Sequence, residues 1–204
     1  METARELILG VSGASGTRLA LRALALFTES PEIDLVHLVV SRRALLVARD
    51  EVSHGIQTAA DLVAAAGLAP ETVGRVRIHP PEAVGAPIAS GSYRTLGMAV
   101  LPCSAGTLAS IANGLSRGLL QRAADVCLKE RRRLVLGLRE TPLSAVHAEN
   151  ILRATRAGAV VAPPVPAFYA VVTLDEAIDA YLARVADLLS VSVPAADYRW
   201  KGAP

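Results

Sequence analysis

The stretch LILGVSGASGTRLALRAL, Leu7 to Leu24, runs from a continuous apolar segment through a turn carrying Gly10, Gly13 and Gly16 into a pattern with helical spacing. Glycines let a backbone approach a ligand closely, and a helix that starts directly after them offers unpaired N–H groups and the positive end of its dipole to an anion. These glycines recur at every third residue and so miss the G-x-G-x-x-G spacing of a dinucleotide site. Taken alone, the turn reads equally well as a tight strand-to-helix connection, and the rest of the chain has to decide what it holds.

Further apolar runs that suit strands buried on both faces occur at Leu35 to Val40, Met98 to Leu101, Leu134 to Leu138 and Ala159 to Ala162. Helical spacing fills the intervals: Gly16 to Phe27, one or two helices in Leu45 to Ala66, Thr107 to Glu130, Leu143 to Thr155 and Leu174 to Leu189. This alternation predicts an α/β fold, a three-layer open parallel sheet of Rossmann-like or flavodoxin-like type, in one domain spanning residues 1–204. IHPPEAVGAPIASGSY, Ile78 to Tyr93, is rich in Pro, Gly and Ser and reads as a long loop, often a functional element.

Composition narrows the function. With 20% charged residues and a formal net charge of +2, no strong field is aimed at nucleic acid or an anionic membrane, and 3% aromatics leave no base-stacking platform. METARELILG is broken by polar residues too early for a secretory segment, and no apolar stretch approaches the roughly 18 residues of a membrane span, so a cytoplasmic protein is expected. Cys103 and Cys127 form no CxxC pair, and His147 and Glu149 in HAEN match no zinc pattern, so no metal is expected.

Parallel sheets bind ligands beyond the carboxyl ends of their strands, so the residues just after each strand carry the information. Ser41 follows the second strand and suits a helix cap. PCSAGTLASIANG follows the third and places Ser104, Gly106 and Thr107 at a second helix start facing the same crevice; Cys103 within it suits a small buried hydrophobe better than a nucleophile. In LLQRAADVCLKERRR, Arg122, Asp125 and Lys129 share one helix face, with an Asp125–Lys129 pair at i, i+4 as the plain alternative to ligand binding. RETP follows the fourth strand: Arg139 and Glu140 suit either an ion pair or an anion site with a proton-transfer group, Thr141 is placed to cap and Pro142 to open the next helix. PPVPAFY presents Phe168 and Tyr169 on a stiff turn, and the tail carries the only tryptophan, Trp200.

Together GVSGASG, the Ser41 strand end, PIASGS, PCSAGTLASIANG, RAADVCLKERR, LRETPL, HAEN, PAFY and the Arg184 helix resemble the UbiX/Pad1-like flavin prenyltransferase family, in order and over nearly the whole chain. That resemblance implies an FMN-binding subunit of a homo-oligomer, commonly a dodecamer, whose C-terminal tail closes the active site. It implies transfer of a dimethylallyl group from dimethylallyl monophosphate to N5 and C6 of reduced FMN, without a metal, to make the cofactor of UbiD-type decarboxylases. Carried over, Gly13, Ala14, Ser15, Ser41, Ser104, Ala105, Gly106, Thr107 and Arg139 would contact FMN. Ser90, Arg122, Lys129, Tyr169 and Arg184 would surround the donor phosphate, Glu51 and Glu140 match the family's acid and base residues, and Trp200 its aromatic wall.

The chemistry fits these residue types. Allylic C–O cleavage leaves a delocalised cation and a phosphate dianion, so cations and hydroxyls belong around the phosphate and a π surface beside the allyl group. The chain departs from the family where Arg117 and Gly118 replace a usual Asp-Asn or Asn-Asn pair, and where HLxNM becomes HAENI, which bears on contacts beside the site or between subunits. Two rivals remain. Flavin-dependent cysteine decarboxylases resemble PASANT where this chain has PCSAGT, and carry a PxMNxxMW-type segment that is missing here. A non-catalytic FMN-binding subunit of a decarboxylase system is the other.

Overall fold

β1 (Glu6–Val11) is followed by α1 (Thr17–Glu29), β2 (Leu35–Val40), α2 (Arg42–Glu51), α3 (Ala59–Ala65), α4 (Pro70–Val73) and β3 (Val76–His79). Then come β4 (Gly97–Cys103), α5 (Ala105–Ala112), α6 (Leu119–Lys129), β5 (Arg133–Leu138), α7 (Ala145–Ala157), β6 (Val160–Val161) and α8 (Leu174–Leu189). This computed structural model describes residues 5–168 and 173–195. The strands form one six-stranded sheet in the order β3-β2-β1-β4-β5-β6, with every neighbouring pair parallel.

Strands buried on both faces need apolar residues at every position, and β1 supplies them. Leu7, Leu9 and Val11 pack with Leu24 and Phe27 of α1 and with Leu182 and Val185 of α8. Ile8 points the other way, into a second core with Met98, Val100, Leu120 and Ala124. Each such side chain contributes about 1.5–3 kcal/mol by leaving water. Strand order turns around beside β1, with β2 and β3 on one side and β4, β5 and β6 on the other. A doubly wound sheet opens its ligand crevice at that point, beyond the carboxyl edge.

Helix α8 comes last in the chain yet lies parallel to α1. Arg18 pairs with Asp175 at 2.7 Å and Arg22 with Asp179 at 2.6 and 2.8 Å, at one constant sequence offset of 157. Both helices therefore start at the carboxyl edge of the sheet and run back towards its amino edge.

The structure departs from the sequence expectations in three places. β3 was not expected, because VRIH at the sheet's edge interrupts its apolar residues with Arg77 and His79; the expected loop accordingly loses Ile78 and His79 to this strand. The expected helix Thr107 to Glu130 is two, α5 and α6, parted around Gly114, whose φ of +66° suits glycine and ends the first helix. Thr141 does not cap and Pro142 does not open α7. Ser144 caps it, accepting from the His147 N–H at 3.3 Å, while His147 Nδ1 accepts the Ser144 N–H at 3.2 Å.

A close contact binds β5 to α8. A Cβ added at Gly137 would lie 2.5 Å from a Leu101 methyl and 2.6 Å from the Tyr181 hydroxyl, which itself donates to the Ala162 carbonyl at 2.7 Å. Gly137→Ala is expected to lower stability by about 1–3 kcal/mol, read as a lower urea midpoint with an unchanged slope.

Candidate functional site

The carboxyl ends of four strands are tied into a row by the residues the sequence singled out. Ser41 N–H, at the end of β2, donates to Val11 O at 2.9 Å, and Arg139 N–H, at the end of β5, donates to Cys103 O at 2.9 Å. Between them Ser12, which is 1% exposed, does two things with one hydroxyl. It donates to Pro102 O at 3.0 Å and accepts the Ser104 N–H at 2.8 Å. The first glycine turn and the start of α5 are thereby fixed against each other, and both helix N-termini open into the same crevice.

The hydroxyls expected to reach a ligand are partly committed. Ser41 Oγ caps α2, accepting the Ala44 N–H at 3.2 Å. Ser104 Oγ accepts the Thr107 N–H at 3.2 Å and donates to Thr107 Oγ1 at 3.0 Å. Gly13 is required first by packing, since a Cβ there would stand 2.5 Å from Arg43 Cβ. Gly106 differs: a Cβ there would meet nothing within 4 Å, so the start of α5 is open above it.

The start of α1 lacks a cap of its own. Gly16, at φ +117°, has no side chain to offer, and the orphaned N–H groups are met from a distance by Glu51 at the end of α2. Both Glu51 oxygens accept from Gly16 N–H at 3.0 Å, and one accepts from Thr17 N–H at 2.7 Å. Burial pushes the Glu51 carboxyl up, but hydrogen bonds from Ser15, Thr17 and Gly16 outweigh it and hold the group below its ordinary value. Glu51 is therefore a carboxylate seated where an anion would bind.

Beside it lies a cavity of about 380 Å³, within the range of small-molecule sites. Ser15, Glu51 and Arg139 line it, joined by Arg18 and by apolar walls from the Pro164–Pro166 turn, Ile178 and Tyr181. Arg139 and Glu140 do not pair with each other; Glu140 is exposed beyond β5 and accepts only its neighbour's Thr141 N–H, at 3.2 Å. The chemistry of this set, cationic at the rim and apolar along the walls, with the α5 start open above Gly106 beyond it, fits a phosphate-bearing planar ligand such as a flavin mononucleotide. Sequence reasoning missed Ser12, Arg18 and Tyr181. The position of Ser12 in the glycine turn was the one available signal; Tyr181 reads simply as helix core.

The remaining predicted residues lie elsewhere. Lys129 precedes β5 and Arg139 follows it, so the six-residue strand, roughly 20 Å, separates them. Ser90 and Gly91 lie beside Lys129, close enough that a Cβ on Gly91 would overlap the Lys129 ammonium and the Glu130 carboxylate. The Asp125–Lys129 pair, the plain alternative to ligand binding, does not form: Asp125 accepts from Arg122 at 2.8 Å, and Lys129 pairs with Glu130. Arg122 also donates to Ala89 O at 3.1 Å. Arg184 lies on α8 one turn beyond the cavity-lining Tyr181, facing Asp187 at 4.0 Å. One copy thus does not bring Lys129 and the Ser90 loop beside it to Ser15 and Glu140. Tyr169 and Trp200 lie outside the described residues, as does the tail expected to close the site.

Cys103 is fully buried and its thiol is pushed up to about 12, as befits a core residue rather than a nucleophile. Among the described residues, no cluster of His, Cys, Asp and Glu is arranged to hold a metal ion, and no helix is long and apolar enough to cross a membrane.

Residues 1–195 match the Flavoprotein family model. A probable UbiX-like flavin prenyltransferase from a Streptomyces species is 43% identical over 197 residues, covering 96% of this chain and 92% of the relative. The chain belongs to the UbiX-like flavin prenyltransferase family. Among solved structures, AnUbiX (PadA1) in complex with FMN and dimethylallyl pyrophosphate superposes with a TM-score of 0.85 at 38% identity, covering 98% of this chain and 99% of that one. A dodecameric FMN-dependent UbiX-like decarboxylase from Escherichia coli gives 0.83 at 41% identity, covering 97% and 100%. The FMN-dependent cysteine decarboxylase TvaF shares the fold alone, at 14% identity and a TM-score of 0.60.

The Glu51 contacts carry a pH signature. Because the folded-state value lies below the ordinary 4.5, the stability gained is fully present above about pH 4.5 and lost as pH falls through the lowered value. Wild type should exceed Glu51→Gln in urea midpoint by a constant margin from pH 6 to 8, and the margin should shrink below pH 4.5.

Proposed function

We propose that this chain is a flavin prenyltransferase that moves a dimethylallyl group from dimethylallyl monophosphate to N5 and C6 of reduced FMN, for use by a UbiD-type decarboxylase. The observation that carries the reading is the convergence of Ser15, Glu51 and Arg139 on one apolar-walled cavity at the strand-order reversal. Gly13, Ala14, Ser41, the Ser104–Thr107 turn and Arg139 would hold FMN, which when bound supplies the nucleophilic nitrogen and carbon.

The chain's own groups divide the remaining work. Arg139 and the start of α1 counter negative charge at the carboxyl edge. Glu51, kept ionised by its N–H donors, is suited to accept a proton rather than to give one. Glu140, exposed beyond β5, is the proposed acid for the departing phosphate, with Ser15 as the proposed intervening hydroxyl. The Pro164–Pro166 turn, Ile178 and Tyr181 keep water from an allyl cation on one side; Tyr169 and Trp200 are the proposed aromatic wall.

The phosphate ligands are shared between copies. Ser90, Arg122 and Lys129 are strung along α6 and its neighbouring loop towards the amino edge, while Arg184 occupies the opposite face of the sheet on α8. In this reading a homo-oligomer would bring these groups of adjoining copies over the carboxyl-edge cavity, which is supported by the dodecameric E. coli relative.

Anaerobic incubation with FMN, a reductant and dimethylallyl monophosphate, followed by mass spectrometry of the bound flavin, should show a gain of one prenyl unit. The diphosphate serves as a second arm, and FMN left unchanged in both arms favours a carrier role. Glu140→Gln should slow prenylation severely while FMN stays bound. Co-expression of Glu140→Gln with Lys129→Ala should restore activity absent from either alone, since roughly a quarter of randomly mixed sites pair an intact Glu140 with an intact Lys129. Failure to restore it would place the whole site in one copy.

A further inference from the structure

The Ser90 loop is held from beneath by a row of buried and half-buried polar groups that the reaction itself does not use. Arg132 donates to Tyr93 O at 2.7 Å and to Gly91 O at 2.6 Å, committing its guanidinium to the backbone of the loop. The Tyr93 hydroxyl donates in turn to Glu6 Oε2, at the start of β1. The same carboxylate oxygen is 2.6 Å from His37 Nε2, and His37 Nδ1 is 2.8 Å from His79 Nε2. His37 is completely buried; its ring stacks on His79 with centroids 5.1 Å apart and meets the edge of Tyr93 at 5.7 Å.

The proton positions in this row follow from its electrostatics. Burial pushes Glu6 up, but Tyr93, His37 and the nearby Arg77 together hold it below its ordinary value, so it stays an acceptor. Burial keeps both histidines below theirs, against the pull of Glu6 on His37. Neutral His37 then donates through Nε2 to Glu6 and accepts at Nδ1 from His79. The Tyr93 hydroxyl, pushed up to about 12 by burial and by Glu6, remains a donor. Every donor in the row meets an acceptor, so the row fixes Tyr93 in a single place.

We infer that Tyr93 and Arg132 are positioning residues for the donor phosphate: anchored on Glu6, His37 and His79, they fix the Ser90–Gly91 backbone and so where Ser90 Oγ stands relative to Lys129. This rests on the reading of Ser90 and Lys129 as phosphate ligands. Gly91 is the point of contact: without a side chain it leaves room for the Lys129 ammonium, which pairs with Glu130, and a shift of that backbone changes the space the ammonium has. Ser90 Oγ is 2.9 Å from Ser92 Oγ within the same loop, so it too follows the loop.

Tyr93→Phe removes only the hydroxyl and leaves Glu6 paired with His37. In the full oligomer it should raise KM for dimethylallyl monophosphate about tenfold, with kcat within about twofold and FMN affinity unchanged by fluorescence titration. Arg132→Ala should raise KM further, and Arg132→Lys should recover part of the loss. Thermal melting of each variant identifies any that has lost its fold, and the Tyr93→Phe and Arg132→Lys pair keeps the test open if Arg132→Ala does. An unchanged KM in Tyr93→Phe and Arg132→Lys, with a raised KM in Lys129→Ala, overturns the positioning role alone. An unchanged KM in Lys129→Ala as well removes the phosphate reading and the proposal with it.

Discussion

The hydroxyl of Ser12 is the smallest group in the molecule on which the most depends. It lies where β1 and β4 part, donating to one strand end and accepting from the next helix start. Two crossovers leave the sheet there in opposite directions, and the shared hydroxyl adds to the Ser12 N–H bond to Pro102 O at 3.2 Å in holding their loops at a fixed spacing. That spacing decides whether one ligand can face the N–H groups of α1 and α5 together. A buried hydroxyl with both bonds made costs little, whereas the same site with one partner lost would carry an unpaired backbone group.

Parallel topology imposes the second constraint. Every strand ends at the same edge, so a residue before a strand and a residue after it are separated by the strand's length however close they stand in sequence. Lys129 and Arg139 are separated in this way by β5. The groups suited to an anion therefore divide into a carboxyl-edge set and a second set along α6, and α8 carries a third on the far face. Charge that repels itself is thus kept apart within one copy, and the polar row beneath the Ser90 loop holds one of these sets in shape.

Much of this was legible in the sequence because β1, β2, β4 and β5 are continuous apolar runs between helical patterns, and a strand buried on both faces leaves that signature. β3 was not, because an edge strand is half-solvated and can carry Arg77 without cost. The break around Gly114 hid inside a helical period that resumes in phase, and the capping role of Ser144 was hidden by Thr141 and Pro142 just upstream, which suit the same task. At the site, Ser15, Glu51 and Arg139 were marked by their place after strands or by resemblance, and the cavity joins them. The resemblance also grouped Lys129 with them, although its place before the apolar run Leu134 to Leu138, and that of Arg139 after it, already sets the two at opposite edges of a parallel sheet. Tyr181 escaped notice since its ring serves the core and only its position beside Gly137 takes it to the cavity.

The ion pairs that lay α8 along α1 bear on how the protein is made. A nascent chain that has emerged as far as β5 already owns the glycine turn, both helix starts, Glu51 and Arg139. It still lacks Ile178 and Tyr181, and with them one wall of the cavity. Until Asp175 and Asp179 find Arg18 and Arg22, the crevice is an open shelf, with the anion position at α1 met by Glu51 alone. Synthesis therefore finishes the scaffold before the pocket, and a cofactor can be enclosed only after the last helix has left the ribosome.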